Sequence, residues 1–429
     1  MIPIRRGLRL ETILLAAAFA LILRCAGARG AVYDVGQGRQ YQSLQEVTRL
    51  LRPGDVVTVD GGAIYAGGVS LDANGAPGAG VITIKGKPVD GKRPILTGGL
   101  VVLRVRGSHY VISGFDLTAG NDPATTRCFY NVGDDVTLRD SVVHDCHFNG
   151  IAGSDASGSL TLDGVEVYGC GQGLYAHQIY VGSNLAKYPR ALFRMWHCYV
   201  HDGVGGNNVK SRVTRNEIEY NWIEGAAFHE LDLDGPDPKA QKMPPGARCD
   251  ADIIGNVFVK RPNSQGTVAR FGTDGTASSQ GRYRFVNNTV IVQAKAAAGL
   301  GIFWIKGQVD SLALWNNVFW TEAGPMKLTR EEGTPPPAFS GDGNWLPAGT
   351  TNLPPGVKFI AGADPGFVNA AEDDYRPAAG SPLIAAGSVP AAGIKPRGIP
   401  PVPDAPSNAE SIRPAARQKD IGAFPYKSF

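Results

Sequence analysis

The stretch Leu160-Thr-Leu-Asp-Gly-Val-Glu-Val-Tyr-Gly-Cys170 repeats, almost position for position, the earlier Val136-Thr-Leu-Arg-Asp-Ser-Val-Val-His-Asp-Cys146. Each is a short strand, a bend and a second short strand. The pattern recurs in His109–Thr118, Arg194–Gly203, Glu217–Ala226, Ala251–Lys260, Arg284–Gln293 and Ala313–Trp320. Bend residues fall at Gly114, Asp140, Gly164, Cys198, Asn221, Asn256, Asn288 and Asn317, at intervals of 23 to 35 residues, the spacing of solenoid coils. The runs are short, lack helical periodicity and are rich in Val, Ile, Phe and Tyr. Gly and Asn suit bends with left-handed or bulged backbone, and stacked Asn side chains can hydrogen-bond along a ladder. A propeller would show four strands per blade at a more regular period. The intervals therefore predict an all-β chain, a right-handed parallel β-helix, with the extra residues looped out between strands.

The flanks agree. Tyr41–Leu51 has helical periodicity with Ser43 as N-cap, and predicts a short capping helix over the open first coil. Residues 1–31 read as a signal peptide: Arg5, Arg6 and Arg9 precede the apolar run Ile13–Leu23, then Ala26-Gly27-Ala28 offers small residues for cleavage. The expected protein is exported, periplasmic or secreted, with no membrane insertion after signal removal. The β-helix domain is placed at 32–388. Residues 389–429 form a Pro/Ala-rich C-terminal wrap ending in Asp420-Ile-Gly-Ala-Phe424. The 56 glycines, 30 prolines and 19% charged residues fit a turn-rich β protein. A net charge of +3 without clustered basic runs excludes a nucleic-acid footprint. Cys146 and Cys170 hold equivalent places in successive repeats, which suggests a buried cysteine ladder or a disulfide between coils.

Three strands carry the chemistry: Ala176–Gly182 (AHQIYVG), Gly206–Arg212 (GNNVKSR) and Phe228–Gly235 (FHELDLDG). Aligned on Ile179, Val209 and Leu231, they stack Gln178, Asn208 and Glu230 in one column and Tyr180, Lys210 and Asp232 in another. With the aliphatic residues inward, alternation sends both polar columns out. Such a ladder suits a long polar ligand. Arg212 shares the outward face, and Arg270 extends the column by a coil. Glu230, Asp234 and Asp237 are closely spaced oxygen donors of the kind that calcium accepts. His201-Asp202 repeats His144-Asp145 at an equivalent corner and reads as structural.

The opening helix with Pro53–Val59, the GFDL repeat, DPGFV and DIGAF resemble the right-handed parallel β-helix repeat proteins, many of them carbohydrate-active. Val209-Lys210-Ser211, followed by Arg215–Asn221, resembles the lysine strand of the alginate lyase and chondroitinase B type of polysaccharide lyases. There the lysine removes the proton next to a uronate carboxylate, so the resemblance implies Lys210 as the base. That family's next coil carries an arginine as acid, and Asp232 stands in its place here. Tyr180, His177 and His229 are the remaining proton donors. Arg212 and Arg215, near in sequence, are expected to lower the Lys210 pKa. Gln178, Asn208, Arg212 and Arg270 would bind substrate. The expected partner is an acidic, uronate-containing polysaccharide cleaved by β-elimination. A glycoside hydrolase or epimerase using Asp232 and Asp234, or a noncatalytic polysaccharide-binding protein, are the other readings. Pairing of Asp232 and Asp234 with Lys210 and Arg212 across coils is the structural alternative for the same residues.

Overall fold

The computed structural model describes residues 30–237, 241–243, 245–293, 295–322, 326–389 and 420–426. Residues 1–29 of the expected signal peptide and most of the expected C-terminal wrap lie outside these residues.

The chain winds as a parallel β-helix with three faces per coil. On the first face, ten strands from Val69–Leu71 to Thr329–Glu332 form one parallel ladder. The second and third faces are parallel ladders too, represented by Val136–Arg139 and Val142–His144 in one coil. The long strand Ala338–Pro347 joins them into a single 23-stranded sheet. Parallel pairing throughout these three ladders rules out a propeller, whose blades are antiparallel meanders. The core is a continuous column of inward aliphatic and aromatic side chains, with rings such as Phe271 and Tyr283 stacked at 4.5 Å.

The bend between the second and third faces uses two adjacent positions. The first is left-handed: Gly114, Asp140, Gly164, His197, Tyr220, Gly255, Asn287 and Asn316 all have φ between 46° and 77°. The second points inward and closes the hydrogen-bond ladder. Asn256 Oδ1 accepts from the Asn221 backbone N–H (2.9 Å) and Nδ2 (2.9 Å), while Asn256 Nδ2 donates to Ile218 O (2.8 Å) and Asn288 Oδ1 (3.0 Å). The same bonds continue through Asn317 to Asn344. The Asn ladder foreseen from the repeats is thus present. Of the residues read as bends, Gly114, Asp140 and Gly164 hold the left-handed position, and Cys198 and the asparagines hold the inward one.

The capping helix is shorter than its periodicity suggested, spanning Leu44–Thr48. Ser43 Oγ bonds Glu46 Oε1 (2.9 Å) and makes no side-chain bond to the backbone, while Leu44, Val47 and Leu51 close the end of the core. A strand Val32–Val35, not anticipated, precedes it and pairs with Val56–Val59. At the other end the chain returns along the third face. Tyr375, Leu383, Ile421 and Phe424 cover Trp222, Val257 and Val318, which would otherwise be an exposed apolar stripe. Cys128 and Cys146 form a disulfide between the first-face strand of one coil and the corner leading into the next. Cys170 stays a buried thiol, its pKa pushed up to about 12 by burial.

Candidate active site

On the first face the strand register places Tyr180 opposite Lys210, Lys210 opposite Asp232, and Asp232 opposite Arg270. The outward column foreseen for Tyr180, Lys210 and Asp232 is therefore real, and Arg270 extends it. Lys210 sits on Val209–Ser211 and is only 5% exposed. Its ammonium lies 2.8 Å from Asp274, 2.9 Å from Asp234 and 3.2 Å from Asp232. Arg270 makes a two-pronged contact with Asp232 at 2.8 and 2.6 Å, and Asn207 Nδ2 donates to the same carboxylate at 2.8 Å. Arg212 donates from Nε to the Tyr180 hydroxyl (3.0 Å) and from Nη1 to Gly235 O (2.6 Å), and its Nη2 pairs with Asp274. Three cations and three carboxylates thus interlock behind Tyr180. The pairing of Asp232 and Asp234 with Lys210 across coils is the structural alternative that the sequence already contained.

The electrostatics alter several roles. Burial would lower the Lys210 pKa, yet the three surrounding carboxylates outweigh it and hold the ammonium more firmly protonated than a free lysine. Arg212 pushes the other way, as foreseen, and is outweighed. Arg215 lies elsewhere: its strand, Arg215–Glu219, belongs to the second face and its guanidinium pairs with Asp252. Asp232 is no proton donor. Against the effect of burial, Lys210 and Arg270 keep its carboxylate well below the usual range. Asp234 is the opposite case, raised by burial and by Asp232 beside it, with neither oxygen in a directional hydrogen bond.

His177 and His229 do not titrate in the useful range. They belong to a ladder in which each side chain accepts the backbone N–H of the next coil: Asn149 from His177 (2.8 Å), His177 from Asn207 (2.9 Å), Asn207 from His229 (3.0 Å) and His229 from Thr267 (3.0 Å). The acceptor on each ring is Nδ1, so the proton resides on Nε2 and the imidazole is neutral. Burial, with cationic neighbours adding to it, lowers both pKa values from the ordinary imidazole range to about 3. A depressed histidine stabilises the fold above its unfolded pKa and loses that contribution as pH falls towards the folded one. Acidification below about pH 6.5 is expected to lower the melting temperature. His177→Asn/His229→Asn, which copies the asparagines of the same ladder, should flatten that slope in thermal melts between pH 7.5 and 4.5. An unchanged slope would refute the assignment. Glu230, raised to about 7 by burial, works in the opposite sense, losing stability as pH rises.

The second polar column is not a substrate surface. Gln178, Asn208 and Glu230 are completely buried. Gln178 donates to Asn208 Oδ1 (2.9 Å), Asn208 to Glu230 Oε2 (2.7 Å), and Lys260 lies 3.5 Å from Glu230. The strands begin only at Ile179, Val209 and Leu231, so these three residues occupy the corner, where the bend turns the side chain inward. The structure does not gather the three oxygen donors considered for calcium, Glu230, Asp234 and Asp237, into one group. Glu230 points into the coil, Asp234 is turned to Lys210, and the Lys210 ammonium fills the position among Asp232, Asp234 and Asp274 that a bound cation would take. Among the described residues no three His, Cys, Asp or Glu side chains are grouped to hold a metal.

Asp274 escaped the sequence reading. It reaches Lys210 from a turn 64 residues later, where Thr276 also steadies it. The segments that follow the Tyr180 and Asp232 strands meet beside this face: Gln241 accepts from Leu185 N–H (2.7 Å) and donates to Ser183 O.

The fold is similar to that of solved structures. Pectate lyase Pel9A superposes with a TM-score of 0.61 at 14% identity, covering 93% of this chain and 97% of its own. More distant likenesses are an alginate lyase from Paenibacillus sp. str. FPU-7 (TM-score 0.42, 16% identity, covering 74% and 99%) and the PL6 family alginate lyase AlyGC (0.44, 13%, covering 77% and 53%). No protein-family model matches the chain, and no curated protein does. The comparison defines the class as a parallel β-helix protein.

Proposed function

We propose that this chain is an exported enzyme that cleaves a uronate-containing polysaccharide by β-elimination at the Lys210 face. The observation that carries the reading is the convergence of Lys210, Arg212 and Arg270 behind Tyr180 on one outward column. The likeness to pectate lyase Pel9A in fold supports it. The disulfide Cys128–Cys146 and the signal-like pattern of Arg5 to Ala28 support export, and among the described residues no helix is long and apolar enough to cross a membrane.

Elimination requires that the uronate carboxylate be neutralised, that a base take the adjacent carbon-bound proton, and that the leaving oxygen gain one. Arg212 and Arg270 supply the neutralising charge. In the ligand-free site Lys210 is protonated and must first lose a proton. Asp234, 2.9 Å away with its proton affinity raised, is the acceptor. A substrate carboxylate taking the place of Asp274 on Arg212 keeps the cluster balanced while Lys210 is an amine. Lys210 then takes the substrate proton. The Tyr180 hydroxyl, which accepts from Arg212 at the mouth of the cluster, protonates the leaving oxygen.

A second reading has its own observation. Asp234 is pushed towards the neutral acid while Asp274 is held ionised by Lys210 and Arg212 despite burial, the divergence of a hydrolase acid and base. Polygalacturonate, alginate and glycosaminoglycans decide between them. Ultraviolet absorbance from unsaturated uronate accompanying the new reducing ends supports elimination; reducing ends without it would replace that reading with hydrolysis. Because Lys210 occupies the cation position, a chelator is expected to change the rate less than about twofold, and a loss beyond tenfold would contradict that arrangement.

A further inference from the structure

The outward column of the first face runs on past Tyr180 towards the capping helix: Ala152, Tyr130, Arg104 and Ser70 follow in register. Three rungs from Lys210, at about 4.8 Å per rung, Tyr130 lies roughly 14 Å along the face. Two guanidiniums flank its ring, Arg127 at 5.0 Å and Arg104 at 5.7 Å from the centroid. Neither pairs with a carboxylate among the described residues, and the Nε of each lacks any hydrogen-bond partner. The opposite end of the column differs, since Arg270 is held by Asp232 and Arg330 by Glu332. Between Tyr130 and Tyr180 the column carries only the methyl of Ala152, which leaves the surface low. Beyond Arg104, Ser70 leads into a cavity of about 740 Å³ that Arg49 and Arg52 help to line.

We infer that Arg104 and Arg127, with Tyr130 between them, form a distal carboxylate-binding subsite for an acidic glycan whose chain leaves the Lys210 site towards the capping helix. The two guanidiniums, neither held by a carboxylate among the described residues and Arg127 bonded only through Nη1 to Thr126 Oγ1 (3.4 Å), take a uronate carboxylate, and Tyr130 takes the apolar face of the sugar ring. The inference rests on the acidic-polysaccharide reading and adds a direction and a minimum length to the bound chain.

Native electrophoresis of the full chain through gels containing polygalacturonate or alginate tests it. Retardation by at least one polymer is expected, weakened at least tenfold in Arg104→Gln/Arg127→Gln, as the loss of charge-assisted contacts implies. Arg39→Gln/Arg139→Gln removes the same charge elsewhere and should leave retardation unchanged. Tyr130→Ala, which keeps both charges, should weaken it as well, and thermal melts verify that each variant is folded. Absence of retardation by both polymers, equal weakening by the two arginine pairs, or no weakening in the first pair would overturn the subsite. Binding lost in Arg104→Gln/Arg127→Gln without any cleavage by the wild type would instead refute elimination and leave the subsite standing. Cleavage with unsaturated products and unchanged retardation in that variant would do the reverse.

Discussion

Lys210→Ala is expected to lower the rate of polysaccharide cleavage about a thousandfold, the scale on which a positioned proton-transfer group acts. It should also destabilise the fold by about 3–5 kcal/mol, because Asp232, Asp234 and Asp274 lose the ammonium that three of them share. The two effects separate in a second variant. Lys210→Arg keeps a cation among the carboxylates and should recover much of the stability, yet a guanidinium does not surrender its proton and activity should remain low. Thermal melts and initial rates on the same preparations make the check. Recovery of activity in Lys210→Arg would show that the residue serves as a charge and not as a base.

Asn256→Ala is expected to cost about 3–5 kcal/mol, the largest loss foreseen outside the site. The amide makes four side-chain hydrogen bonds in the inward ladder. Its removal leaves the Asn221 backbone N–H and the Ile218 carbonyl without these partners in a water-free corner, and each buried orphan costs about 1–3 kcal/mol. A small void is added. Because neighbouring coils share the ladder, the damage should extend to Asn221 and Asn288 and be visible as faster amide exchange there. Chemical denaturation that shifts by less than about 1 kcal/mol would mean that the ladder contributes little beyond packing.

The ladder was legible before any coordinates because it is local and periodic. Bends recur in the sequence, and Gly, Asp and Asn at the left-handed position declare themselves. Register along the first face was legible for the same reason, so Tyr180, Lys210, Asp232 and Arg270 align as foreseen. Side-chain direction was not. Alternation holds only within a strand, and Gln178, Asn208 and Glu230 lie one residue before theirs begin. The failure is one of counting faces across a corner, and it converted an interior polar ladder into an imagined binding surface. Proton affinities were the least legible. They depend on Asp274, which is distant in sequence, and on the acceptor role that the helical stacking imposes on His177 and His229. Arg215, three residues from Arg212, ended on another face because a corner intervenes.

Asp232, standing where the resembled lyase strand has an arginine, has a physical explanation. The guanidinium is supplied one coil later by Arg270, and Asp232 is the carboxylate that orients it. The guanidinium thus stands one coil beyond the position where the resembled strand has it, with Lys210 between Tyr180 and Asp232.

Mass spectra of the products formed in ¹⁸O-water test the central claim most directly. Elimination by the wild-type protein predicts new non-reducing ends lighter by one water than hydrolysis would give, with no ¹⁸O in either fragment from bond cleavage, and no such products from folded Lys210→Ala. Fragments that carry ¹⁸O at the new end, or unsaturated products formed by Lys210→Ala at the wild-type rate, would contradict it.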